Sequence, residues 1–165
     1  LLSISFRSYF LPIIILSALP FGFCGAIIGH VIFGKGLSMI SYWGIGAACG
    51  VVINDNLVLV DYINRVRKSG KHLLEAVVEA GVVRFRPIVI TSITTFIGLM
   101  PIMLEPSVQA NFLKPAVISL SCGVVLCAPV TLILVPCLMV VGADIVDVVS
   151  RVPNLLRKQF SIGST

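Results

Sequence analysis

Four long apolar runs, separated by short polar segments, dominate the pattern of this chain. They cover about residues 11–33, 42–63, 87–104 and 115–141. Each is close to the roughly 20 residues that an α-helix needs to cross the hydrocarbon core of a bilayer. The runs show no regular alternation of apolar and polar positions, which argues against a transmembrane β-barrel. The pattern therefore predicts an all-α, polytopic membrane helix bundle with four transmembrane helices.

The stretch of about residues 69–83 differs from these runs. Apolar residues recur there at helical spacing, and charged residues lie between them. This arrangement is typical of an amphipathic helix in the membrane interface, so the sequence predicts an interfacial helix between the second and third spans. Polar and charged residues return after the fourth run. Residues 1–141 are therefore predicted to form the membrane domain and residues 142–165 a cytoplasmic C-terminal tail.

The composition agrees with a membrane protein. Hydrophobic residues make up 58% of the chain and charged residues 12%, and the mean hydropathy is +1.09. Soluble domains contain about 45–50% apolar and about 25% charged residues. The composition thus argues against a soluble core and makes the lipid bilayer the expected environment.

The basic residues predict the orientation of the chain. If the four spans alternate across the membrane, one side holds Arg7, Arg65, Arg67, Lys68, Lys71, Arg84, Arg86, Arg151, Arg157 and Lys158, and the other holds only Lys35 and Lys114. Cytoplasmic loops carry an excess of Lys and Arg, so both ends of the chain are predicted to be cytoplasmic. This distribution also accounts for the net charge of +5 without a nucleic-acid partner.

A polar cluster, Asn54, Asp55 and Asn56, interrupts the second apolar run. An ionised Asp at the centre of a membrane helix costs about 2.5–3.5 kcal/mol on insertion scales. Such residues usually face a bundle interior or a wet cavity, and they often mark an ion or proton path. The alternative is a structural cluster whose hydrogen bonds fix the register of neighbouring helices. Both interpretations are open at the level of sequence.

Polar residues also recur in the third run. Arg84 stands at its cytoplasmic mouth, and Thr91, Thr94 and Thr95 share one helical face. These threonines either bond to carbonyls of their own helix or line a water-filled path. Between the two runs, Asp61 and Arg65 are four residues apart and predict an ion pair at the end of the second helix.

The sequence lacks the usual signatures of enzymes and metal sites. It has five Cys and two His residues, with no CxxC pair and no His at a ligand spacing from another. It has no Ser-His-Asp order and no Gly-rich phosphate loop. We therefore predict that the protein is not an enzyme and that it needs no cofactor or metal.

Five stretches of the chain carry a resemblance to a known family. They read FRSY, PFGFCGAIIGH, GVVINDNLVLVDYINR, AVVEAGVVRFRPIVITSITTFIGLMPIMLE and FLKPAVISLSCGVVLCAPVTLILVPCL. Together they resemble the resistance–nodulation–division (RND) superfamily over about residues 5–141, and within it the efflux transporters for hydrophobic and amphiphilic compounds. The resemblance implies that this chain contains the last four of twelve transmembrane helices. The missing initiator Met fits the expectation of a C-terminal part of a longer protein.

The resemblance also implies an activity and partners. It implies a bacterial inner-membrane exporter of small amphiphilic compounds, driven by the proton-motive force and able to give multidrug resistance. The implied partners are the N-terminal part of the same transporter, two further copies in a homotrimer, a periplasmic adaptor and an outer-membrane channel. Two other interpretations stay open: a related membrane protein for protein or lipid export or for sensing, and a remnant without function.

The family's proton relay joins paired carboxylates on the fourth helix, a lysine on the tenth, and an arginine and a threonine on the eleventh. By resemblance, the eleventh-helix pattern falls on Arg84 and Thr91, and the lysine position falls on Asn54. An Asn cannot supply the cation that releases a carboxylate proton, and Asp55 beside it reverses the local charge. We therefore predict an altered proton- or ion-coupling site made of Asp55, Asn54, Asn56, Arg84 and Thr91.

Overall fold

A computed structural model describes the backbone of residues 10–162 and the side chains of residues 11–143 and 145. Arg7 and the side chains of Arg151, Arg157 and Lys158, which contribute to the predicted orientation, lie outside these described parts. The helices are α1 (Phe10–Leu16), α2 (Leu19–Ile32), α3 (Met39–Lys68), α4 (Leu73–Leu104) and α5 (Val108–Ile162).

Four segments are long and apolar enough to cross a membrane. They are Leu11–Ile32, Met39–Lys68, Leu73–Leu104 and Val108–Ala143. The described residues contain no β-strand. The predicted all-α membrane bundle with four spans is therefore confirmed, and the last three spans are extended by helix beyond the apolar runs that mark them.

The structure corrects the prediction of a separate interfacial helix at about residues 69–83. Residues from Leu73 onward belong to α4, which continues through Pro87 into the third span. Of the apolar residues that suggested contact with lipid, Leu73 and Val77 are partly buried against a cluster that contains Ile63 of α3, whereas Leu74 and Val78 are exposed. Ala76 and Ala80 on the same helix are fully buried in that cluster. Neighbouring helices allow proline inside a membrane helix, because they compensate for the backbone bond that its ring removes.

A tight connection holds α3 and α4 side by side. Gly70 adopts a φ of +93°, a conformation that L side chains rarely reach, and its N–H donates to the carbonyl of Arg67 at 3.1 Å. The Lys71 Nζ lies 2.6 Å from Oε2 of Glu79 in the second turn of α4. This hydrogen bond, with the charge of the carboxylate, raises the pKa of Lys71 above its ordinary value. We call this end of the bundle the basic end.

The first span is broken in the middle. α1 ends at Leu16 and α2 begins at Leu19, with Pro20 in the first turn of α2. Proline has no N–H to donate to the carbonyl four residues earlier, so it favours the start of a new helix over the continuation of an old one. The apolar run of residues 11–33 thus forms two helices.

Helix α5 is the centre of the bundle and packs against each of the other four helices. Away from the basic end, small residues bring the backbones together: Gly25 lies against the backbone of α5 at Cys122 and Gly123, and Gly44 against its backbone at Ala116. Towards the basic end, larger side chains fill the core. They are Ile14, Ile15, Leu59, Val60, Ile63, Val135 and Met139. The two halves of the bundle are therefore packed in different ways.

His30 links α2 to the start of α3 through a buried hydrogen-bond chain. It is 3% exposed, and its Nδ1 lies 2.9 Å from the carbonyl oxygen of Ala26. Because a carbonyl only accepts, Nδ1 carries the proton. Nε2 lies 2.9 Å from Oγ of Ser41, which also accepts from the N–H of Ser38 at 3.0 Å. A neutral ring that accepts the Ser41 hydroxyl proton satisfies every member of this chain.

We expect His30→Leu to destabilise the protein, because it removes the acceptor 2.9 Å from the buried Ser41 hydroxyl and leaves only the longer contact of 3.3 Å with Ser38 Oγ. Losses of this kind cost about 1–3 kcal/mol. The measurement is the thermal unfolding midpoint in detergent. His72→Leu is the matched control, since His72 is exposed and makes no capping hydrogen bond. Equal shifts for the two variants would contradict the role assigned to His30.

Candidate ion-coupling site

Asp55 lies in the middle of α3 and is half-buried. The described residues offer its carboxylate no ion pair and no hydrogen bond. An unpaired carboxylate at this depth costs free energy, and residues of this kind usually have a functional role or a charged partner. Asn54 beside it is exposed, and no described side chain bonds to it.

Asn56 points away from Asp55 into the bundle. It is 1% exposed, and its Nδ2 donates to the carbonyl oxygen of Ile15 at 3.3 Å. Ile15 belongs to the last turn of α1, where carbonyls lack a partner within their own helix. The Oδ1 atom of Asn56 is buried and has no hydrogen-bond partner among the described residues. The residues of the polar cluster therefore have different surroundings. Asn56 bonds to another helix, which is what the structural interpretation of the cluster predicts.

Arg84 of α4 lies over an aromatic ring of α3. Its Cζ is 5.4 Å from the centre of the Tyr62 ring, within the range of a cation–π contact. Its Nε is buried and has no hydrogen-bond partner in the described part of the chain. Arg84 thus lies where α3 and α4 face each other, a region that we call the seam. Its Nε–H is still able to donate a hydrogen bond.

The seam brings Asp55 and Thr91 to one level. Helices joined by a connection as short as residues 69–72 run antiparallel. Tyr62 is seven residues after Asp55, and Thr91 is seven residues after Arg84, so each pair shares one face of its helix. Because Arg84 covers Tyr62, this count puts Asp55 and Thr91 at similar heights, about 10 Å further along the seam.

The threonines of α4 bond to carbonyls of their own helix. The Thr91 Oγ1 donates to the carbonyl of Pro87 at 2.9 Å, and Thr94 Oγ1 donates to that of Ile90 at 2.8 Å. Both side chains are exposed. A hydroxyl that has donated its proton can still accept. Thr91 therefore keeps an acceptor free and is not needed to fill the core.

The predicted ion pair at the end of α3 is confirmed. Arg65 Nε lies 2.9 Å from Oδ2 of Asp61, and both side chains are largely exposed. A pair of this kind in solvent contributes about 0.3–0.5 kcal/mol. Asp61 is therefore bonded where Asp55 is not.

The sequence alone did not identify Tyr62 or the carbonyl of Ile15 as parts of this region. The spacing of seven residues predicts that Tyr62 shares a helix face with Asp55. Its contact with Arg84 cannot be predicted without knowing how α3 and α4 are aligned. Pro20 gives a signal for free carbonyls in the first span, but it does not reveal which side chain bonds to them. Among the described residues, His, Cys, Asp and Glu form no cluster able to hold a metal.

Comparison with known proteins gives the family. A sequence profile of the AcrB/AcrD/AcrF family matches residues 1–143. Over 136 residues the chain is 31% identical to "Multidrug resistance protein MdtC" of Proteus mirabilis (strain HI4320), and the alignment covers 82% of this chain and 13% of MdtC. With its four spans, the chain is a multi-pass protein of the inner membrane. It belongs to the AcrB/AcrD/AcrF family of RND transporters, the superfamily that its sequence resembles.

Proposed function

We propose that this chain is part of an RND exporter of small amphiphilic compounds that is driven by the proton-motive force. The observation that carries the proposal is the half-buried carboxylate of Asp55, which lies inside a membrane span without a partner in the described chain. Thr91 at the same level and Arg84 at the mouth of the seam complete the coupling site.

Asp55 takes up and releases the transported proton in this mechanism. Its neutral form is the cheaper one in hydrocarbon, and its charged form needs a cation or water nearby. Arg84 lies about 10 Å away along the seam. At that distance its attraction for a carboxylate is about 1.7 kcal/mol at an effective dielectric constant of about 20, against about 4 kcal/mol for a pair at 4 Å.

The long distance limits the effect of Arg84 on Asp55. Arg84 favours ionisation of Asp55 from a distance but does not form the tight pair that a lysine at position 54 would supply. We therefore infer that the closer partner of Asp55 comes from the N-terminal part of the transporter. Asn54, exposed beside Asp55, orients that partner or water through its amide.

The remaining elements of the proposal concern orientation and assembly. The basic end carries Arg65, Arg67, Lys68 and Lys71, so it faces the cytoplasm, and both ends of the chain lie on that side. The exporter is a homotrimer, as the family resemblance implies, and works with a periplasmic adaptor and an outer-membrane channel.

A reconstitution experiment tests the coupling. Full-length transporter is placed in proteoliposomes, and movement of a fluorescent amphiphilic cation is followed after a pH gradient is imposed. We expect transport that requires the gradient and stops when a proton ionophore collapses it. A sodium gradient of equal size is the control. Transport driven by sodium alone, or by neither gradient, would contradict the proposal.

A further inference from the structure

The break in the first span is held by side chains from three places in the fold. Ser17 Oγ donates to the carbonyl of Ile14 at 2.6 Å, within the break itself. Asn56 of α3 donates to the carbonyl of Ile15 at 3.3 Å. Cys127 Sγ of α5 donates to the carbonyl of Ala18 at 3.4 Å, and this carbonyl also accepts from the N–H of Phe21 at 3.1 Å. The carbonyls around the break thus receive a donor from their own segment, from α3 and from α5.

This region is tightly enclosed. Ile15, Ala18 and Cys127 are fully buried, and Asn56 is 1% exposed. In such surroundings a backbone carbonyl without a donor is costly, so the side-chain donors to the carbonyls of Ile14 and Ile15 stabilise the observed shape of the break. When a neighbouring helix moves and takes its donor away, we expect the angle between α1 and α2 to change.

Asn56 differs from the other two donors in two ways. It is next to Asp55 in the chain, so a shift or rotation of α3 at Asp55 moves Asn56 with it. It is also incompletely bonded, because its Nδ2 makes one long bond and its Oδ1 makes none. A group with one buried acceptor unsatisfied has a second arrangement available if the helices shift.

We propose that Asn56 is a positioning residue that connects the carboxylate of Asp55 to the break at Ser17–Ala18. A change of charge at Asp55 moves α3, Asn56 loses or regains the carbonyl of Ile15, and the angle between α1 and α2 changes. This inference rests on the proposed function, because it takes Asp55 as the group that changes charge.

Few other ionisable groups share the surroundings of Asp55. Cys49 lies on α3 itself, and Cys127 of α5 packs with Val52, one turn from Asp55. On α4, Arg84 lies over Tyr62 towards the basic end. α1 has no ionisable side chain, and those of α2, Cys24 and His30, lie beyond the break. A variant at Asp55 therefore isolates the charge that matters here.

Hydrogen exchange at the break tests the connection. Full-length transporter in lipid nanodiscs is compared at one pH with Asp55→Asn, which fixes the neutral form, and exchange is measured in peptides that cover residues 13–21. We expect Asp55→Asn to change exchange there at least about threefold in the presence of Asn56. In an Asn56→Leu background, the same substitution should have no effect on these peptides.

Three further variants show whether the response depends on the amide of residue 56. Asn56→Gln retains the amide donor and should restore the response, whereas Asn56→Ala removes it in a smaller side chain if Asn56→Leu does not accumulate. Asn64→Leu is the matched control, since it removes a half-buried amide on the same helix and should leave the response intact. An equal response with and without the amide of residue 56 would overturn the inference. Normal export by Asp55→Asn would instead overturn the proposed function, so the two failures are distinguishable.

Discussion

Asp55→Asn in the full-length transporter should reduce export to the level of cells without the transporter, at near-normal abundance in the membrane. The Asn side chain has almost the shape of Asp but cannot take up or release a proton. It also removes the insertion cost of about 2.5–3.5 kcal/mol that an ionised Asp carries. The loss would therefore reflect coupling and not folding. Export of a fluorescent amphiphile and an immunoblot of the membrane fraction measure the two quantities.

Asp61→Asn is the control for this prediction. It makes the same change of charge on the same helix, but Asp61 is paired with Arg65 at 2.9 Å and lies in an exposed position. Loss of such a pair changes stability by about 0.5 kcal/mol or less, and we expect export within about twofold of the wild type. Wild-type export by Asp55→Asn, or equal losses in both variants, would remove Asp55 from the coupling site.

Among substitutions that add a single methyl group to the bundle, we expect Gly44→Ala to lower the stability most. The added Cβ would stand 2.8 Å from Cα of Ala116 and closer still to its carbonyl oxygen. Backbone atoms cannot move aside as a flexible side chain does, so α3 and α5 would have to separate. Overpacking costs about 1–3 kcal/mol and occasionally more. We expect a clearly lower thermal unfolding midpoint in detergent and reduced abundance in the membrane.

Gly22→Ala is the matched substitution on α2. Among the described residues, its Cβ would meet only Sγ of Cys127, at 3.9 Å, which is an ordinary contact. Because alanine favours helix by up to about 1 kcal/mol over glycine, this variant should be neutral or slightly more stable. A larger loss for Gly22→Ala than for Gly44→Ala would show that α3 and α5 do not pack as described.

The four spans could be predicted from the sequence because their signal is local. A run of about 20 apolar residues needs no knowledge of its neighbours to be recognised as a membrane helix. The interfacial helix was predicted on the same local basis and was corrected, since Ala76 and Ala80 pack on α3. An amphipathic pattern reports that one face is apolar, but not whether lipid or protein covers it.

The candidate site shows the same limit. The cluster at residues 54–56 is visible in the sequence, but adjacent positions on a helix point about 100° apart. Asn56 therefore reaches Ile15, Asp55 is half-buried without a hydrogen bond in the described part of the chain, and Asn54 is exposed. The level shared by Asp55 and Thr91 depends on the contact of Arg84 with Tyr62, which a spacing rule alone does not supply.

The two kinds of packing along α5 give the bundle unequal stiffness. Where glycines place backbone against backbone, as at Gly25 and Gly44, no side chain is available to repack, and a helix cannot rotate without leaving its neighbour. Where Ile15, Leu59 and Met139 form the contact, changes of rotamer can absorb small rotations. The break of the first span lies where these regions meet. We therefore expect the end of the bundle that packs through glycines to be the stiffer one.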